Sequence, residues 1–186
     1  MEAAVERRAA FVAAIPQELL DAEDMLPSHV SALNASTRSK LNRVYMVAED
    51  LSRVREPFVA CKRGCSSCCH MNVSVTQSEA DRLASAAGRS AAILTVSPRH
   101  DPEEFTGVPC PFLDAQGACS VYADRPLACR KHSSFFLNDS TCHPSVMHRI
   151  EVPMVSFSGL DSALMAASGA SGSLLADIRD FFPPRV

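Results

Sequence analysis

Eight cysteines are the residues with the clearest potential for chemistry in this chain, and all of them lie between Cys61 and Cys142. The 60 residues before this window and the 44 residues after it contain none. Buried cysteines without a shared role would be scattered among core positions. The clustering therefore favours thiolate ligands for zinc or for an iron-containing centre, while a disulfide framework and unrelated buried thiols are less favoured alternatives.

The first cysteine group reads Cys61-Lys62-Arg63-Gly64-Cys65-Ser66-Ser67-Cys68-Cys69-His70. A Cys-x2-Cys pair such as Cys65 and Cys68 can direct two sulfur atoms at one ion from a tight turn. The adjacent pair Cys68 and Cys69 fits a single ion poorly, because neighbouring side chains diverge. This group therefore predicts two adjacent metal sites or one polynuclear cluster.

The other four cysteines lie further along the chain. Cys110 and Cys119 flank Asp114 to Gly117, a segment typical of a reversing turn that would bring the two thiols together. The complete set of predicted metal ligands is Cys61, Cys65, Cys68, Cys69, Cys110, Cys119, Cys129 and Cys142. Three histidines next to or near cysteines are alternative ligands, because imidazole can replace a sulfur on zinc: His70, His132 and His143.

The residues around the cysteines suggest how such a centre would be enclosed. Four apolar residues are expected to line the metal centre: Phe112, Leu113, Val121 and Tyr122. A thiolate-rich centre carries net negative charge, which needs compensation when it is buried. Five basic residues could supply this positive charge, or could simply be solvated: Lys62, Arg63, Arg125, Arg130 and Lys131.

Helical segments are expected on both sides of the cysteine region. Between Ser39 and Phe58, apolar residues recur every three or four positions, which predicts an amphipathic helix. We therefore divide the chain into an N-terminal helical extension (1–57) packed on the core, a cysteine-cluster region (58–145) and a C-terminal helical segment (146–186), together one compact domain. Within the last segment, helices are predicted over Leu160 to Ala167 and Ser173 to Phe182, joined by a flexible hinge at 168–172.

The cysteine region itself contains one predicted helix. Asn72 to Val75 is expected to be extended, and Thr76 with Glu79 has the spacing of a capping box, so a helix should run from Gln77 to Ala87 and stop near Gly88. Prolines and glycine predict an irregular connection over 88–109. The expected fold class is mainly α: a small, irregular, metal-stabilised cysteine-cluster core with flanking amphipathic helices and little β structure.

Composition argues against several partners. The formal charge of −3 and the pI near 6.1 lack the basic excess of a nucleic-acid-binding protein. No apolar run approaches the roughly 18 residues of a membrane span, and the N-terminus lacks the layout of a secretory signal. We therefore expect a cytoplasmic protein, a setting in which clustered cysteines bind metal more often than they form disulfides.

Taken together, these motifs resemble the CxxCxxCC (YkgJ-like) cysteine-cluster family. The resemblance is carried by Cys61 to Cys69, Val73 to Val75, Glu79, Cys110 to Leu113, Cys119 to Tyr122, Arg125-Pro126 and Cys129-Arg130, and it covers about residues 58–145. It implies a zinc- or iron-chelating domain. One departure is that three residues, rather than two, separate Cys61 from Cys65, which leaves the coordination role of Cys61 open.

Three functions are consistent with the sequence. The leading one is a metal-binding protein whose clustered thiolates hold zinc or iron, with zinc preferred. The second is an iron–sulfur protein in electron transfer or in support of a protein-modification reaction. The third is a thiol redox sensor or enzyme. The chain contains no phosphate-binding glycine loop, His-Glu-x-x-His motif or serine elbow, so no enzyme class is predicted, and a protein partner is left open.

Overall fold

Three long helices form the N-terminal part of the protein, which was predicted to be helical but not to be divided into three. The computed structural model describes residues 1–62, 64–101, 104–147, 149–169 and 174–183. Helix α1 spans Glu2–Ala14, α2 spans Gln17–Ala32 and α3 spans Thr37–Arg55, followed by a 3₁₀ turn at Glu56–Phe58. Ser36 caps α3, because its hydroxyl accepts a hydrogen bond from the backbone N–H of Ser39. The apolar stripe predicted between Ser39 and Phe58 is the buried face of α3.

The rest of the described chain contains shorter elements. Strand β1 (Ser74–Thr76) leads directly into α4 (Gln77–Ala87), and β2 (Leu175–Asp177) leads into α8 (Ile178–Phe181). Between them lie α5 (Leu127–Lys131), α6 (Pro144–Met147) and α7 (Ser158–Ser168). Short 3₁₀ turns occur at Ser67–His70, Tyr122–Asp124 and Ser140–Cys142. The prediction of a mainly α fold with little β structure is confirmed.

One hydrophobic core lies among the long helices. Helix α7 packs against α2 and α3, and α3 also contacts α4 and α5. Phe11 sits at the centre of an aromatic cluster, with ring centroids 5.7 Å from Phe135, 6.1 Å from Phe58 and 6.3 Å from Phe157. Other members of this core include Leu26, Val30, Leu41, Val44, Leu51, Leu127 and Leu160. The predicted helix Leu160 to Ala167 is confirmed as part of α7.

A second core lies beneath the cysteine region. Its floor is a two-stranded antiparallel sheet in which Val75 of β1 faces Ala176 of β2. The side chains that fill it include Leu83, Phe112, Val121, Ile178, Phe181 and Phe182. Cys110, Cys119 and Cys129 pack against its edge, so this core supports one side of the cysteine cluster.

The predicted capping box at the start of α4 is present. The Thr76 hydroxyl accepts from the Glu79 N–H at 3.2 Å, and the Glu79 carboxylate accepts from the Thr76 N–H at 3.2 Å. The helix ends at Gly88, whose φ of +59° is the left-handed conformation that favours glycine. The described residues of the 88–109 connection contain no helix or strand, in agreement with the prediction.

The helix predicted over Ser173 to Phe182 is wrong in its first half. Leu175–Asp177 forms β2 instead, and only Ile178–Phe181 is helical. The reason is tertiary: residues 175–177 pair with β1, and Asp177 then caps α8 while its carboxylate accepts from the Val73 N–H at 2.7 Å. Most of the predicted hinge, including Gly172, lies outside the described residues, as does Ser173.

Candidate metal centre

Tight local turns position the first cysteine group. The Cys65 N–H donates to the Lys62 carbonyl at 3.0 Å, and the Cys69 N–H donates to the Ser66 carbonyl at 2.9 Å. The 3₁₀ turn Ser67–His70 therefore carries both members of the vicinal pair, Cys68 and Cys69. The Cys110 N–H donates to the Cys69 carbonyl at 2.7 Å, which joins the second cysteine group to the first.

The predicted turn between Cys110 and Cys119 is confirmed. Leu113 and Cys119 form an antiparallel bridge, and the Asp114 carboxylate accepts from the backbone N–H groups of Gln116 and Ala118. Gly117 has a φ of +76°, which the turn requires and which a side chain would strain. The two arms thus bring Cys110 and Cys119 to the same side of the second core.

A single cavity of about 440 Å³ collects most of the cysteines. Seven of the eight predicted ligands line it: Cys61, Cys65, Cys68, Cys69, Cys110, Cys119 and Cys129. Phe112, Val121 and Tyr122 also line it as predicted, whereas Leu113 does not. Cys142 is buried in an adjoining recess with His132 and Ser134.

The thiols fall into two groups according to which neighbouring thiols act on their pKa values. Burial raises the pKa of Cys61, and repulsion from the negative charges of Cys142, Cys68 and Cys65 raises it further. Burial and the neighbours Cys68, Cys110 and Cys119 raise the pKa of Cys129 in the same way. We call Cys61, Cys65 and Cys142 the first thiol group, and Cys110, Cys119 and Cys129 the second thiol group. Cys68 lies within electrostatic range of both groups.

The two members of the vicinal pair, Cys68 and Cys69, interact directly with each other. The pKa of Cys68 is raised, first by its side-chain hydrogen bond with Cys69, then by burial and by the charge of Cys69. A raised thiol pKa is the opposite of what activates a nucleophilic cysteine. The geometry therefore offers clustered protonated thiols that a metal ion would deprotonate, and it gives no support to a reactive thiolate at Cys68.

All eight cysteines carry free thiols, so the structure forms no disulfide framework among them. No three Cys, His, Asp or Glu side chains of the described residues converge at the distances of a closed metal site. The chemistry of the donors nevertheless fits zinc or iron, since sulfur ligands from several chain segments face one cavity.

Basic side chains outnumber acidic ones among the described residues that line this cavity, although only some of the basic ones were predicted. Lys62 and Arg125 line the cavity, and the Arg125 guanidinium stacks on Tyr122 with its central carbon 4.2 Å from the ring centroid. Arg130 is buried but points away, donating to the carbonyls of Ala123 and Arg125. Lys131 pairs with Asp161 at 2.5 Å, and Arg63 lies outside the described residues.

Two buried arginines near the cysteines were not predicted. Arg55, at the end of α3, lines the cavity and lies close enough to Cys61 for their charges to interact. Arg179 of α8 donates to the carbonyl of Cys69 at 3.3 Å, and its charge lowers the pKa of Cys110 against the larger effect of burial. Arg55 has a local signal, because it is a charged residue on the buried face of α3, four residues after Leu51 and six residues before Cys61. Arg179 has none, because it is 110 residues from Cys69.

Of the three candidate histidine ligands, only His132 borders the cavity. Burial and the charge of Arg55 lower its pKa, which keeps the imidazole neutral as metal ligation requires. The Nδ1 atom of His70 lies 3.2 Å from the Ser66 carbonyl oxygen, and His143 contacts Ser145 at 2.8 Å on the exposed surface. His100 instead forms ion pairs with Glu104 and Asp180.

The fold and the cavity define a small, mainly helical protein with a cysteine-rich cavity suited to metal chelation. Residues 60–143 match the model of the CxxCxxCC family, described as “Putative zinc- or iron-chelating domain”. The cysteine region therefore matches the model of the family that its motifs predicted, and the matched segment includes all eight cysteines. No curated protein and no solved structure gives a significant match to the chain. None of the described helices combines the length and the hydropathy needed to cross a bilayer.

Proposed function

We propose that this protein holds metal through two sets of four cysteine thiolates, contributed by one cavity and the recess beside it. The observation that carries the proposal is that seven of the eight cysteines line one cavity and Cys142 lies in the recess beside it, and their mutual charge interactions divide six of them into the two thiol groups. If Cys68 and Cys69 contribute one sulfur to each side, every cysteine is used and both sets reach the four ligands of a structural zinc site. Zinc is the preferred ion.

Charge supports the same proposal. A divalent ion with four thiolates carries about two negative charges, which are costly to bury without compensation. Arg55, Arg125 and Arg179 place positive charge beside Cys61, Cys119 and Cys110 respectively. These arginines stabilise the thiolate form once a metal has displaced the protons.

A polynuclear iron–sulfur centre is the second candidate, and two observations favour it. Cys68 interacts with thiols of both groups, as a cysteine beside one shared cluster would. The cavity of about 440 Å³ is also far larger than the ~10–15 Å³ that one water molecule needs, so it can take more than isolated ions. Such a centre would support electron transfer or a protein-modification reaction.

Anaerobic purification followed by elemental analysis and an absorption spectrum separates these candidates. The zinc proposal predicts a colourless protein with about two zinc ions per chain, as two four-ligand sites require. Iron together with sulfide in a brown sample would refute the zinc proposal and support the iron–sulfur candidate. A folded protein that binds neither metal under reducing conditions would refute both.

Single cysteine variants then test the two-site arrangement. Cys61→Ser and Cys129→Ser should each remove one zinc ion and leave the other, because each alters one thiol group. Loss of all metal in both variants would instead indicate one shared cluster. Ser66→Ala is the matched control, since Ser66 lies beside the ligands without a thiol and should leave the metal content unchanged.

A further inference from the structure

Helix α5 carries Cys129 and is too short to hold its own position. It contains five residues, whereas isolated helices are marginal below about 12–15 residues. The placement of the Cys129 thiol therefore depends on what other elements do to the two ends of α5. Both ends are held by side chains that come from elsewhere in the fold.

Glu79 holds the N-terminal end of α5. Its carboxylate, in α4, is only 1% exposed and accepts from the backbone N–H of Leu127, the first residue of α5, at 2.7 Å. The same carboxylate accepts from the Tyr45 hydroxyl at 2.9 Å and from the Thr76 N–H at 3.2 Å. All three partners are donors, which matches the acceptor-only character of a carboxylate. Glu79 thus fixes the start of α5 against α3 and β1.

Arg55 holds the C-terminal end. Its guanidinium donates to the Arg130 carbonyl at 2.7 Å and to the Lys131 carbonyl at 2.8 Å. These are the last two residues of α5, whose carbonyls lack partners within the helix. A negative group at the N-terminus and a positive group at the C-terminus also match the helix dipole.

We infer that Glu79 and Arg55 form a clamp that positions Cys129 for metal binding. Neither side chain need touch the ion: each is a positioning residue that acts through the backbone of α5. This inference rests on the proposed metal-binding function. It adds that Arg55, which lies before the family-matched segment 60–143, helps to position a ligand of the metal centre.

The protein also offers a matched control for the clamp. Glu23 of α2 is likewise buried, at 5% exposure, and its carboxylate accepts from the Leu160 N–H in the first turn of α7 at 2.8 Å. Helix α7 carries no cysteine. Glu23→Gln therefore perturbs a buried helix-capping carboxylate of the same kind without moving a thiol.

The test measures cobalt binding to the full-length chain by chelator competition and absorption spectroscopy. Glu79→Gln places an amide N–H₂ among hydrogen-bond donors, and Arg55→Met removes both carbonyl contacts. Each should weaken cobalt affinity about 10- to 100-fold and reduce the sulfur-to-cobalt charge-transfer band by the share of one thiolate. Glu23→Gln should stay within about twofold of the unaltered protein, because its site is independent of the thiols.

The outcomes separate the clamp from the proposed function. If the unaltered protein binds cobalt, and Glu79→Gln and Arg55→Met bind it as Glu23→Gln does, the clamp is wrong and the metal site stands. If the unaltered protein binds no cobalt, zinc or iron, the proposed function fails and the clamp fails with it. Glu79→Gln decides the test if it folds, because Arg55 also places positive charge beside Cys61. If it does not fold, Arg55→Lys decides instead, since it keeps that charge but cannot bond both carbonyls in the same way: affinity as in Glu23→Gln would refute the clamp.

Discussion

Metal loading at neutral pH should release at least six protons per chain, one from each of six cysteines whose pKa is raised. Burial raises the pKa of five of these thiols, and the hydrogen bond with Cys69 is the leading cause for Cys68. The six are Cys61, Cys68, Cys110, Cys119, Cys129 and Cys142. Since an ordinary cysteine has a pKa of about 8.5, all six thiols are protonated at neutral pH in the metal-free protein. The thiolate is the metal ligand, so each proton must leave when metal binds.

Isothermal titration calorimetry with zinc, in buffers of different ionisation enthalpy, counts these protons. Affinity should also fall as the pH is lowered, by up to about a thousandfold per pH unit for an ion that takes three of the six thiols. Release of fewer than about two protons per chain, or an affinity that does not depend on pH, would refute the reasoning, because the thiols would not then be protonated ligands.

The free energy of unfolding of the metal-free protein should decrease as the pH rises, whereas the metal affinity should increase. A thiol with a higher pKa in the folded chain than in the unfolded chain contributes its full stabilisation below the unfolded value of about 8.5. That contribution is lost as the pH rises through the folded value, so the free energy of unfolding should decrease above about pH 8.5. Urea denaturation with a chelator and a reductant measures this trend, and a free energy that increases between about pH 8.5 and 10 would contradict the raised pKa values.

Two further predictions concern packing and charge. Gly159→Ala should lower the free energy of unfolding in urea by about 1–3 kcal/mol, because a Cβ would overlap the Glu23 carbonyl oxygen and lie 2.8 Å from its carboxylate carbon. Gly88→Ala, where a Cβ meets nothing within 4 Å, should cost only about 1 kcal/mol, and equal costs would contradict the packing argument. Arg125→Gln should weaken zinc affinity about tenfold in chelator competition, because its charge favours the Cys68 and Cys119 thiolates. Arg38→Gln, at an exposed residue that does not line the cavity, should have no measurable effect, and equal losses would show that Arg125 has no special role.

Local signals explain why much of the fold could be predicted from the sequence. The stripe of α3 and the Thr76–Glu79 capping box depend on residues three or four apart, and both appear where expected. The turn before Cys119 is equally local, since Asp114 bonds within four residues of itself. These features need no knowledge of the rest of the chain.

Long-range contacts explain what could not be predicted. Strand β2 exists because it pairs with β1 about a hundred residues earlier, so its apolar spacing was mistaken for a helix. Asp177 and Asp180 do form a capping box, a signal that could have placed the start of α8 correctly. The cysteine set was recognisable from residue type, but its division into two groups depends on how five segments pack around the cavity.

Native mass spectrometry after alkylation of the intact, anaerobically purified protein tests the central claim most directly. If the cysteine thiolates hold metal in the cavity, the main species should carry two zinc ions, or one iron–sulfur cluster, and no alkyl group on any of the eight cysteines. Addition of a chelator should release the metal and expose the thiols to the reagent. A metal-free, fully alkylated chain before chelation would contradict the account.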